Sequence, residues 1–145
     1  TKSETEIKLP RPMISQKNYD FSFSGLKTAV LYKVKSAKRK AQNKKYIAAM
    51  CAEVQQAVID VLIRKTMKAA KDYKVKTIIL GGGVAANDEL RKQFKLKIKK
   101  EIPDSKFYIP DSKFCTDNAV MVALTAFFHR KNIKKNIKAE ANLKI

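Results

Sequence analysis

The sequence predicts an α/β fold in which helices pack on a small pair of parallel strands. Two short apolar segments, 75–80 and 106–109, have the β-branched and aromatic content of buried strands. The pattern between them, over 88–100, is helical, and a strand–helix–strand connection within one sheet is right-handed and parallel. Because two strands alone do not make a stable open sheet, we expect partner strands outside this sequence, and the chain to be part of a larger protein.

The chain divides into a lead-in, a folded core and a tail. Pro10 and Pro12 prevent helix formation in the lead-in, which covers residues 1–24. The folded core is predicted over 25–132, and a basic tail follows over 133–145.

Two helices are predicted before the first strand, over 26–38 and 46–73, because apolar residues recur three or four apart. The residues between them form a basic linker. Ile59 and Ile63 widen the apolar face of the longer helix. We therefore expect this helix to be covered on two sides.

Cap residues predict where the later helices start. Asn87 is expected to cap the helix over 88–100, with the two acids that follow it at the positive end of the helix dipole. Thr116 is expected to cap a last helix over 117–130.

A surplus of positive charge is the strongest feature of the composition. The 145 residues contain 32 Lys and Arg against 13 Asp and Glu, a net charge of +19. Such a surplus attracts polyanions and gives salt-dependent affinity for nucleic acid. The excess is mostly Lys, and Ile and Asn are also frequent, so the codon bias of an AT-rich genome would produce the same composition. Both explanations stay open at this point.

Few side chains suit a metal site or a disulfide framework. Cys51 and Cys115 are the only cysteines and form no C-x-x-C pattern, and His129 is the only histidine. This usage favours a reducing, cytoplasmic setting. Since no run of eighteen apolar residues is present, we expect no membrane span. Glu53 and Asp60 share a face of the long helix and could pair with Lys side chains of a neighbouring element.

A glycine-rich turn, Gly81-Gly82-Gly83, joins the first strand to the next helix. Glycines allow a sharp turn and a close approach of the backbone to a ligand, and N–H groups at a helix start can bind phosphate or carboxylate oxygens. The segment also matches the dinucleotide-binding pattern G-x-G-x-x-A, but Asp88 and the acid after it would repel a pyrophosphate. The other interpretation is a tight turn without a ligand.

Two further segments, 21–28 and 114–119, place polar residues at a helix start. In the second, Asp117 could bind a metal or a water, or could simply be stabilised by the helix dipole. In the first, hydroxyls and a Lys could bind an anion. The alternative for the first segment is a helix cap beside two phenylalanines of the core.

In this order and spacing, the three motifs resemble the C-terminal half of the tRNA threonylcarbamoyl-adenosine transferase family. The family is called TsaD in bacteria, and Gcp or O-sialoglycoprotein endopeptidase in older usage. The matching blocks are 9–12, 20–28, Gln55 with 57–60, 82–87 and 114–118. Each block is weak by itself, whereas together they are specific and cover nearly the whole chain.

The resemblance implies an actin-like fold of two lobes, of which this chain is an incomplete C-terminal lobe. It implies an enzyme that moves threonylcarbamoyl from threonylcarbamoyl-adenylate to the exocyclic amine of an adenine in tRNA, in the cytoplasm and with partner proteins of the bacterial threonylcarbamoylation complex. A divalent metal, iron or zinc, is expected in the cleft, with Asp117 as one ligand and the others in the N-terminal half. Asn87 is expected to bind the substrate nucleotide, with Gly82 and Gly83 beside it.

Two other functions stay open. A non-catalytic basic module that only binds RNA would carry exposed aromatic residues for stacking, and the sequence contains no Trp. A metal-dependent endopeptidase, as the older family name suggests, would need a general base beside a metal-bound water, and no H-E-x-x-H motif is present. No catalytic base is assigned. We expect the chain alone to be inactive, because most of the cleft would lie outside it.

Overall fold

The computed structural model describes residues 7–37 and 42–132; the predicted basic tail, 133–145, lies outside the described residues, as do 1–6 and 38–41. The main elements in chain order are α1 Ser24–Ser36, α2 Lys44–Asp72, β1 Thr77–Ile79, a 3₁₀ helix Gly83–Ala86, α3 Asp88–Glu101, β2 Lys106–Tyr108 and α4 Ala119–Phe128. The predicted helices and strands are all present, with bounds that differ by a few residues.

The two strands pair in parallel, with Ile78 opposite Phe107 in the register. The predicted parallel connection is therefore confirmed. Ile78 points into the core and is 8% exposed, whereas the neighbouring Ile79 points the other way and is 74% exposed. The sheet thus has one covered face and one bare face in the described part of the chain.

Helix α2 carries a hydrophobic cluster on each of two sides, as predicted. The first cluster joins α2 to α3 and β1, and its buried members are Ile59, Ile63, Met67, Ala70, Ile78, Leu90, Phe94 and Ile98. The second joins α2 to α1 and the lead-in, and its buried members are Leu9, Leu26, Met50 and Ala57. Helix α2 is therefore the element that both clusters share.

The lead-in lies along α2 as a strap, which we define as residues 7–20 and which has a turn at 12–15. Arg11 bridges two carboxylates of α2, because its Nη1 donates to Glu53 and its Nε donates to Asp60 Oδ2 at 2.8 Å. The Leu9 amide also donates to Glu53 Oε1, at 2.8 Å. These bonds, those from Arg11 first, lower the pKa of Glu53 below its ordinary value. The suggested pairing of the two acids with Lys side chains is wrong, since the planar fork of an arginine reaches both at once.

Further along α2, the strap is held by a buried lysine. Lys65 is 4% exposed. Its ammonium donates to the backbone oxygens of Gln16, at 3.0 Å, and Asn18, at 2.8 Å. Tyr19 then donates to Asp72 near the end of the helix, at 2.9 Å. Later residues of the strap therefore contact later residues of α2, so the strap runs parallel to the helix.

Two predictions about helix starts are wrong. Thr116 does not cap α4; Asn118 does, because its Oδ1 accepts the Met121 amide at 2.9 Å. Extended backbone at Asn118 delays the helix to Ala119, so the predicted start at 117 is too early. Helix α1 has no side-chain cap, and Phe21 is 52% exposed rather than part of the core.

The prediction that no segment could span a membrane also needs correction. By length and composition alone, α2 is long and apolar enough to cross one, because an 18-residue window within it has a mean hydropathy of 1.5. A few charged residues interrupt the apolar ones, so a search for eighteen consecutive apolar residues did not find this helix. Both hydrophobic clusters pack against this helix, and 28% of its most apolar 18-residue window is buried.

Candidate functional site

The candidate site lies where β1 and β2 end. In a parallel pair, the carboxyl ends of both strands meet at one edge of the sheet, and α/β folds bind ligands there. The loop after β1 carries the glycines and Asn87, and the loop after β2 carries Asp117. We call these two loops, 80–87 and 109–118, the site edge.

Arg91 of α3 ties the two loops of the site edge together. Its Nε donates to the Ala85 backbone oxygen in the first loop. Its Nη2 donates in the second loop to the Pro110 oxygen, at 2.9 Å, and to Cys115 Sγ, at 3.0 Å. Cys115 and Ala85 are buried and Arg91 is half-buried, so the tie is partly shielded from water. The sequence analysis missed Arg91. The one feature that could have indicated its role is that it is an arginine, whereas every other cation of α3 is a lysine.

The glycine loop is open to approach from outside. Gly82 has a φ of +83°, a conformation that favours glycine, so the predicted sharp turn is confirmed there. A Cβ placed on Gly81, Gly82 or Gly83 would meet no atom within 4 Å. Within the described residues, the N–H groups of Gly82, Gly83 and Val84 donate to no backbone oxygen. The loop therefore presents free amides and space for a ligand.

Asn87 caps α3, as predicted. Its Oδ1 accepts the Leu90 amide at 2.9 Å, and its Nδ2 donates to Gln55 Oε1 of α2 at 2.8 Å. Both ends of the side chain therefore have protein partners. A nucleotide contact would use the second proton of Nδ2 or displace Gln55.

Beside Asn87, an apolar groove of about 420 Å³ runs between α1, α2 and the glycine loop. Val30, Val54 and Val84 form part of its walls, and Gln55 and Asn87 supply its polar groups. Apolar walls with a few convergent amides are typical of a small-molecule site. The groove is a place where a planar base could lie next to Asn87.

Asp117 is exposed and forms no hydrogen bond or ion pair with any residue in 7–37 or 42–132. Its carboxylate is therefore free to bind a cation, as a hard oxygen ligand suits. No group of three His, Cys, Asp or Glu side chains among the described residues could hold a metal. Asp117 thus fits one position of a metal site whose other ligands come from elsewhere. A shared ligand for Asp117 and Asn87 stays a prediction, as do the roles of Gly82 and Gly83.

Comparisons with known proteins agree on one family. A family model described as tRNA N6-adenosine threonylcarbamoyltransferase matches residues 1–124. A relative with that name from Thermosipho africanus is 49% identical over 98% of this chain and 42% of its own length. Relatives with the same name from Syntrophomonas wolfei and Geobacillus kaustophilus are 42% and 46% identical, over 88% and 83% of this chain and 36% and 35% of their own lengths. The chain therefore spans between 35% and 42% of the length of these curated relatives.

Proposed function

The chain belongs to the tRNA N6-adenosine threonylcarbamoyltransferase family, and from this we propose that it forms part of one lobe of an actin-like enzyme with that activity. The whole enzyme transfers threonylcarbamoyl from threonylcarbamoyl-adenylate to the exocyclic amine of an adenine in tRNA. It acts in the cytoplasm, with partner proteins of the bacterial threonylcarbamoylation complex. This chain supplies the site edge as one wall of the cleft.

The residues of the site edge have the chemistry that this transfer needs. The electrophile is a carbamoyl carbonyl, and the leaving group is a nucleotide phosphate. The open amides of the glycine loop suit phosphate or carboxylate oxygens, and Asn87 can donate to a ribose hydroxyl or to the threonyl carboxylate. The apolar groove excludes water from one side of a bound nucleoside, which limits hydrolysis of the activated carbonyl.

A divalent metal, iron or zinc, would polarise a carbonyl or orient a phosphate when bound in the cleft. Asp117 would be its ligand from this chain, because the carboxylate has no competing partner among the described residues. One carboxylate does not hold a divalent cation tightly against water, since tight sites use three or four protein ligands. We therefore propose that residues 1–145 alone neither bind the metal tightly nor modify tRNA.

The observation that carries this proposal is the tie made by Arg91. It joins the loop of Asn87 to the loop of Asp117 through three hydrogen bonds, to Ala85, Pro110 and Cys115. Two loops fixed to each other can present a nucleotide contact and a metal ligand at a constant separation, as catalysis by positioning requires.

The test uses the full-length enzyme, purified tRNA and threonylcarbamoyl-adenylate. We expect Asp117→Asn to lower the metal content and the transfer rate together, whereas Asp111→Asn, an exposed acid of the same loop, should change neither. Normal metal stoichiometry in Asp117→Asn would contradict the ligand role.

Asn87→Asp separates the nucleotide contact from the helix cap. Aspartate caps a helix as well as asparagine but has no amide proton to donate. Gln55 can turn its amide to donate to the new carboxylate, so we expect little change in stability and a higher KM for threonylcarbamoyl-adenylate. An unchanged KM would remove Asn87 from the site.

A further inference from the structure

A second groove, of about 840 Å³, lies between the C-terminal halves of α2 and α3 and is lined by five cations. Arg64, Lys68 and Lys71 come from α2, and Lys97 and Lys100 come from α3. Within each helix these positions are three or four residues apart, so they share a face. We call this feature the basic groove.

The acidic side chains of the basic groove already have basic partners within the protein. Asp60, Asp72 and Glu101 each form an ion pair with a cation of the protein. Arg64 and Lys100 form no hydrogen bond or ion pair with the residues that the structure describes. Two positive charges in the groove therefore lack a counter-charge from the protein. Three of the five cations, Lys68, Lys71 and Lys97, are the partners of Asp72 and Glu101, so the excess of the groove is one cation from each helix, Arg64 and Lys100.

The distance between the basic groove and the site edge limits which anions can contact both. Asn87 caps the first turn of α3, and Lys100 lies in its last turn. The helix has 14 residues, so these positions are about 20 Å apart at roughly 1.5 Å of rise per residue. A bound nucleotide is too short to span that distance, whereas a tRNA is not.

We propose that the basic groove binds phosphates of the tRNA backbone while the target adenine is at the site edge, an inference that rests on the proposed function. Arginine and lysine contacts to phosphate carry no sequence information, but they fix the position and orientation of a nucleic acid. The groove thus positions the tRNA from outside the catalytic cleft. Asp111 and Asp117 of the site edge, and Asp88 beside it, repel the tRNA backbone there and leave the groove as its anchor.

The test compares two double variants of the full-length enzyme that lose the same charge. Arg64→Gln with Lys100→Gln removes the two cations without partners, and Lys92→Gln with Lys99→Gln removes two exposed cations of α3 that do not line the groove. Binding of tRNA is measured by fluorescence anisotropy between low and physiological salt. Transfer kinetics and thermal unfolding are measured for both variants and the parent enzyme.

For the groove variant we expect tRNA affinity to fall on the order of tenfold and the salt slope to fall by roughly 1 to 2, since each phosphate contact contributes about one unit. The KM for tRNA should rise, and the KM for threonylcarbamoyl-adenylate should stay the same. The control variant should resemble the parent enzyme in all of these measurements.

Equal losses in both double variants would overturn the proposal, because they would show a general effect of net charge. The proposal would also be overturned if the groove variant bound tRNA as tightly as the parent enzyme. Normal modification of tRNA by that variant would not change this conclusion. Weaker binding of the groove variant to anionic phosphatidylglycerol vesicles, with tRNA binding unchanged, would assign the groove to a membrane surface instead. An enzyme that binds tRNA through the groove but transfers nothing would refute the proposed function and leave this inference standing.

Discussion

Replacing Arg91 by methionine tests whether the two loops of the site edge must be tied together. The change keeps the apolar stem and removes the guanidinium bonds to the Ala85 and Pro110 oxygens and to Cys115. A hydrogen bond to a charged group contributes about 1.5–3 kcal/mol, and Arg91 is only partly buried. Counting the two carbonyl bonds at the lower end gives about 3 kcal/mol, and partial exposure brings the expected loss in the docking of the loops to roughly 2–3 kcal/mol.

Hydrogen exchange of the full-length enzyme measures this loss locally. The Ala85 amide donates to the Gly82 oxygen at 2.9 Å, and the Cys115 amide donates to the Ser112 oxygen at 3.1 Å. Since 1.4 kcal/mol is a factor of ten, we expect protection of these amides to fall by about 30-fold or more, and kcat/KM to fall by about tenfold or more. Arg91→Lys keeps the charge but not the fork, so it should restore little. Unchanged protection in Arg91→Met would refute the reasoning.

Three further predictions concern stability. Phe94→Ala should lower the free energy of unfolding by about 3–5 kcal/mol, because Phe94 is 2% exposed; Leu96→Ala on the same helix, at a side chain that is 61% exposed, is the control for denaturant unfolding. Glu101 bridges α2 and α3, and the ammonium groups of Lys71 and Lys97 lower its pKa from 4.5 to about 2. Its contribution to stability should therefore be complete above about pH 4.5 and lost as the pH falls towards about 2, and Glu101→Gln should remove that part of the acid dependence in thermal unfolding. Asn118→Ala should destabilise α4 by about 1 kcal/mol through loss of its cap, and a matching loss in Thr116→Ala would contradict the cap assignment.

Periodicity in the sequence was enough to predict the helices and the parallel strands, because the 3.6-residue repeat and short β-branched runs are local signals. The start of α4 was predicted wrongly because Thr116 and Asn118 are both good caps, and local sequence does not decide between them. The pairing of Arg11 with Glu53 and Asp60 could not be predicted from periodicity, since the residues are far apart in the chain. Asp117 and Asn87 were assigned through family resemblance, and Arg91 was missed because its partners are mostly backbone atoms.

The strap has a consequence for how the protein is made. Lys65 follows its partner Gln16 by 49 residues. At roughly 5–20 residues per second of synthesis, the strap leaves the ribosome about 2–10 seconds before the helix surface that receives it. During that interval its polar and charged residues, seven of the fourteen, limit its tendency to associate with other chains. Of these two segments, the strap is made before α2 but docks after it, and its apolar side chains, such as Leu9, are covered only once α2 has formed.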